Sequence, residues 1–275
     1  MSDYFTLVAE CIELALAGLG CVLLWRHVLS PGACARRQPP PLPEWAATLP
    51  DFLVFVLYVV TGGLLSAVLA TAIIPWLGVQ GDARVVFSGA LGQFGLLGGV
   101  AAHRAGHPGA WSPAPRGPGV FVAGAATFLM SLPLLIVVSK GWELLLHLAG
   151  LPTQKQNLID MFLRADSRLL LVVLIGLATI VAPVTEELVF RAGLFRYFRT
   201  RLPRWLAFLL PAVLFAALHV DNWKTLEGFA SFAPLVALAV FFSAAYERTG
   251  RIGTSIVAHA LFNLNTVLLI FAGVT

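Results

Sequence analysis

Charge is scarce in this sequence. Asp, Glu, Lys and Arg make up 12% of its 275 residues, about half the share usual in a soluble domain, while 59% are hydrophobic and the mean hydropathy is +0.86. That shortage excludes an ordinary water-soluble globule and predicts an all-α, polytopic transmembrane helical bundle. Cysteine is almost missing. Cys11, Cys21 and Cys34 show no CxxC spacing and no neighbouring His pair, so neither a disulfide framework nor a zinc site is signalled. No basic stretch precedes the first apolar run, which starts after Asp3; this predicts a retained helix rather than a cleaved leader. There is no Gly-x-Ser-x-Gly and no HExxH, the signatures of the nucleophile elbow and of the common zinc proteases. Internal repeats, frequent in transporters, are also lacking.

What is present is a series of apolar runs. A span needs roughly 20 such residues, and eight candidates lie at about 5–25, 52–76, 84–102, 119–139, 168–195, 204–220, 228–246 and 252–273. Glu10 and Glu13 fall near the start of the first, where snorkelling or packing accounts for them. The segment 31–50, with Pro39-Pro40-Pro41-Leu42-Pro43, reads as a stiff linker outside the membrane. Gly89, Gly92, Gly95, Gly98 and Gly99 in the third run favour close helix packing. Pro133 is expected to kink the fourth. The mixed stretches 142–151 and 158–163 suit interfacial helices lying on the bilayer.

The net charge of +4 sits mostly in loops, where it sets topology rather than recruiting nucleic acid. Basic residues concentrate in alternate loops: Arg26, Arg36 and Arg37; Arg104 and Arg116; Arg196, Arg199, Arg201 and Arg204; Arg248 and Arg251. The positive-inside rule puts these four loops in the cytoplasm and both termini outside a cell membrane.

The chain turns on 181–191, Val-Ala-Pro-Val-Thr-Glu-Glu-Leu-Val-Phe-Arg. Two adjacent carboxylates and an arginine lie there between apolar stretches, and an intramembrane charge is costly enough that its default interpretation is functional. Glu186 and His219 are nearly equidistant from the turn at Pro203, so in a helical hairpin they share a depth, about 25 Å from the turn tip. His259 lies about 12 Å past Arg251, and Asn263 four residues on shares its face. Arg191 stands four after Glu187, the spacing of an i,i+4 ion pair. Each residue alone has a plain structural meaning: a His or Asn as a packing hydrogen bond, Phe215 as core, Glu187 with Arg191 as a structural pair. An acid pair, two histidines and an Asn at matched depth favour catalysis or ion transport over structure. A carboxylate and a His sharing a water form a general base, and a second His and an amide can hold an oxyanion; that is peptide hydrolysis without a covalent intermediate.

Glu186-Glu187-x-x-x-Arg191, Phe215-x-x-x-His219 and His259-x-x-x-Asn263, with Arg248-Thr249-Gly250 before the last, resemble the motifs of the CPBP family over about 168–266. That family includes type II CAAX prenyl proteases and the bacteriocin-processing or immunity-type Abi group. The resemblance implies a catalytic core at 151–275 behind N-terminal helices, 1–150, of unassigned role. It implies an intramembrane endopeptidase, glutamic-type, in which Glu186 activates water with help from His219, His259 and Asn263 stabilise the oxyanion, and Glu187, Arg191 and Phe215 support them. No cofactor is expected, with zinc on two His and a Glu as the alternative. The expected partners are a membrane-associated protein or peptide substrate, a prenylated CAAX-type one among the candidates, and the lipid bilayer, not nucleic acid, with the site opening to the cytoplasmic side. Two other functions stay open: a non-catalytic immunity or scaffold protein of the same fold, which should tolerate His219→Ala, and an ion transporter using Glu186 and Glu187.

Overall fold

Long runs of Leu, Val, Ala and Phe with few charges fold as helices, since only helices and closed barrels satisfy every backbone group in lipid. A computed structural model of the chain describes residues 2–35, 42, 44–108, 111, 119–151, 153, 162, 167–220, 222–224, 226 and 228–274, and every regular element among them is helical. The main helices are α1 (Ser2–Leu24), α2 (Leu49–Trp76), α3 (Gly81–Gly106), α4 (Val120–Leu148), α5 (Arg168–Arg199), α6 (Arg204–Ala217), α7 (Phe232–Thr249) and α8 (Ile252–Phe271). Seven are long and apolar enough to cross a membrane, making this a multi-pass membrane protein; α6, at 14 residues, is the shorter exception. It ends at Ala217, two residues before His219, so His219 stands in the turn and not on a helix as its spacing predicts.

Two other expectations change. The stretch 142–148 is not a separate interfacial helix but the last turns of α4, which also contains Pro133 without interruption; of 158–163 only Phe162 lies among the described residues. The linker is not free at its end either. Trp45 is buried, with Phe52, Phe55, Trp111 and Tyr197 around its ring at centroid distances of 5.8 to 6.3 Å. Thr48 then caps α2, accepting from Asp51 N while Asp51 Oδ2 accepts from Thr48 N at 2.8 Å, a reciprocal box that starts the helix.

Small residues set the close pairings. A Cβ at Gly95 would collide with the carbonyl oxygen of Gly62, and one at Gly99 with that of Tyr58, so α2 and α3 pack backbone to backbone. Gly89, Gly92 and Gly98 face open space; two of the five glycines do this work. α4 lies against α1, α7 and α8. The main core joins α2, α3, α5, α6 and α7 through Phe55, Val100, Phe190, Phe215 and Ala239, with Phe52 stacked on Tyr197 at 3.7 Å.

The four basic loops gather at one end of this bundle. An Arg196 guanidinium donates to Glu44 O at 3.3 Å, Arg201 donates to Ala47 O, and Arg248 donates to His27 O at 3.3 Å. His103 Nε2 lies 3.2 Å from Asp51 O and accepts at Nδ1 from Trp111 Nε1 at 3.1 Å, which ties the loop after α3 to the same end. There Glu247, at the foot of α7, receives Arg199 at 2.5 Å and Arg204 at 2.6 Å.

Candidate active site

α5 carries the acid pair and is not a plain α-helix. Leu177–Val181 and Glu187–Phe195 are π-helical, on either side of an α-helical turn, Ala182–Glu186. Pro183 has no N–H to donate, and the widened segment directly precedes it. Such π segments occur mostly at functional positions. As on any helical turn, the two adjacent glutamates point in different directions and meet different surroundings.

Glu187 is fully enclosed. Its Oε1 lies 2.9 Å from an Arg191 guanidinium nitrogen, with side-chain exposures of 0% and 1%. The pair is therefore formed as the spacing predicts, within a π turn. Arg191 also donates to Ala239 O at 3.3 Å, and its guanidinium lies 4.9 Å from the Phe215 ring and 5.3 Å from the Phe242 ring. Two aromatic rings thus lie against a cation that lipid would otherwise strand.

The same Glu187 Oε1 lies 2.9 Å from His259 Nδ1. A carboxylate can only accept, so Nδ1 carries the hydrogen and the ring is held in one orientation. Phe242 stacks on that ring at 4.8 Å. Nε2 consequently faces Glu186, 3.8 Å from its Oε2 and beyond direct hydrogen-bond length. Glu186 is 14% exposed against 0% for Glu187, which makes it the accessible carboxylate of the two.

Asn263, one turn further along α8, donates through Nδ2 to Ala178 O in the first π segment at 2.7 Å; its second N–H remains for another acceptor. His219 Nδ1 donates to Phe215 O at 2.7 Å, and the two rings are 4.4 Å apart. Phe215 in turn lies 6.2 Å from the His259 ring. The structure therefore brings Glu186, Glu187, Arg191, Phe215 and His259 into one contact network, attaches Asn263 through the backbone of α5, and joins His219 to it through Phe215.

Gln93 is the residue that sequence reasoning missed. It reaches across from α3, its Nε2 3.4 Å from Glu186 Oε1. The available signal was an amide in the middle of an apolar span, a polar group that lipid penalises. No set of three or more His, Cys, Asp or Glu side chains is placed to hold a metal ion among the described residues. Glu187 already serves Arg191 and the His259 imidazole.

Comparison with known proteins places this geometry in context. Residues 168–265 match the sequence model of a family described as type II CAAX prenyl endopeptidase Rce1-like. Over 93 residues, 34% of the chain, it is 31% identical to the UPF0177 protein YbdI of Lactococcus lactis subsp. lactis (strain IL1403), and it spans about half, 46%, of that protein's length. No solved structure matches.

Proposed function

We propose, from the match of residues 168–265 to the family described as type II CAAX prenyl endopeptidase Rce1-like, that this protein is an intramembrane endopeptidase. Its substrate is a membrane-associated protein or peptide, with a prenylated C-terminal segment as the leading candidate. The observation that carries this reading is the division of labour in the acid pair: a buried Glu187 orients His259 through Nδ1, and an accessible Glu186 faces Nε2.

In the mechanism that fits, Glu186 Oε2 takes a proton from a water as its oxygen attacks the scissile carbonyl, with His219 assisting. The carbonyl oxygen gains the negative charge. Asn263 donates to it through its spare N–H, and His259 donates from Nε2 when that nitrogen carries a proton as well as Nδ1. The C–N bond then breaks, and the proton held by Glu186 passes to the leaving amine. Glu187 holds the imidazole and Arg191 offsets the charge of Glu187; Phe215 spaces the two histidines. No step passes through a metal. The charge bias of the loops supports an orientation in a cell membrane with the gathered basic end in the cytoplasm and both termini outside.

The test is purified protein in lipid, incubated with prenylated and unprenylated hydrophobic peptides and followed by mass spectrometry. Glu186→Gln should lower kcat by at least about a hundredfold, the usual loss when a general base is removed. Cleavage at the wild-type rate by that variant overturns the assignment.

A further inference from the structure

Gln93 lies on α3, outside residues 168–265, and the steps above make no use of it. Its Nε2 stands 3.4 Å from Glu186 Oε1. Because a carboxylate only accepts, the amide nitrogen must face it and the amide oxygen must point away. That oxygen, Oε1, is buried and has no hydrogen-bond partner among the described residues. An orphaned acceptor at a depth shared with the site is costly for a membrane helix to carry. The position of Gln93 is also rigidly set. Gly95 and Gly99, two and six residues on, lock α3 backbone to backbone against α2, and α3 packs directly on the Ala182–Glu186 turn.

We propose that Gln93 positions Glu186 by holding its Oε1, so that Oε2 is the oxygen that takes the proton, and that its own Oε1 accepts a backbone N–H from the bound peptide substrate. The inference rests on the endopeptidase reading and extends its site to a helix that the family match does not include. The two ends of one amide then have separable duties. The nitrogen aligns the base, an effect on kcat. The oxygen meets the substrate, an effect on KM.

Two variants separate them. Gln93→Met keeps length and suits the apolar span but removes both functions; kcat should fall at least tenfold and KM should rise. Gln93→Glu keeps an acceptor at that end but sets a like charge beside Glu186; kcat should fall at least tenfold with KM near the wild-type value. Gln93→Asn, which retains the amide on a shorter stem, should recover part of kcat relative to Gln93→Met. Thermal unfolding in detergent is measured on all three. Wild-type kcat in both Gln93→Met and Gln93→Glu overturns the inference, and so does a loss of activity that merely tracks a loss of Tm. If the wild-type protein cleaves and Glu186→Gln does not while the Gln93 variants match wild type, this inference alone fails; if the wild-type protein cleaves nothing, the endopeptidase reading fails with it.

Discussion

Arg191 is 1% exposed and serves four neighbours at once: the Glu187 carboxylate, the carbonyl of Ala239 and the faces of Phe215 and Phe242. Removing one partner of a buried ion pair leaves the other charge uncompensated, at a cost of about 3–5 kcal/mol. Arg191→Leu should therefore destabilise by that order, and Glu187→Leu likewise, whereas the double variant should cost less than the sum of the two. Chemical unfolding of the four proteins in mixed micelles checks it; additive losses would mean the two side chains are not coupled. At this scale the pairing was legible because i and i+4 positions stack along any helical turn, π-helical ones included. The unequal roles of Glu186 and Glu187 were not, since adjacency in sequence says nothing about which of two carboxylates faces His259. Gln93 stood out only as an amide in an apolar span, and its partner was hidden for a related reason: the contact is with a residue 93 positions away.

The glycines of α3 matter as a set of contacts rather than as a composition. Gly95→Leu would push against the Gly62 carbonyl, whereas Gly98 has nothing near it. Overpacking a tight contact costs about 1–3 kcal/mol, and a substitution in open space stays within about 0.5 kcal/mol. Gly95→Leu should lower stability and, by tilting α3, also lower activity through Gln93; Gly98→Leu should do neither. Melting curves and peptide cleavage on the two variants decide it, and equal behaviour would contradict the packing described. The helices themselves were legible from hydropathy, with boundaries close to those of the apolar runs except at α4, which continues nine residues past its run to Leu148. The π segments of α5 and the early end of α6 were not, because both depend on how the backbone settles against neighbouring helices rather than on residue type. Pro183 was a visible hint of the first.

Across the whole molecule the basic loops converge on one end, and Glu247 ties α5, α6 and α7 together there. Sequence showed the arginines as topology signals; it did not show that Arg199 and Arg204 share a carboxylate that is 1% exposed. Glu247→Gln should destabilise by about 1–3 kcal/mol, the range for charged hydrogen bonds with partly exposed partners, measured by thermal unfolding. Orientation has a direct readout as well. Cys34 is exposed and lies seven residues past His27, whose carbonyl Arg248 holds, while Cys11 and Cys21 lie on α1. A membrane-impermeant maleimide should label Cys34 in inverted vesicles and not in intact cells; the reverse pattern would invert the proposed topology.

The brevity of α6 reaches beyond the protein. A rod of 14 residues extends about 21 Å, well short of the roughly 30 Å hydrocarbon layer. The backbone that continues past Ala217 must either be sheltered by its neighbours or face a hydrated notch, for acyl chains offer it no partners. The second arrangement, beside His219, would supply from bulk solvent the reagent that hydrolysis consumes with every turnover.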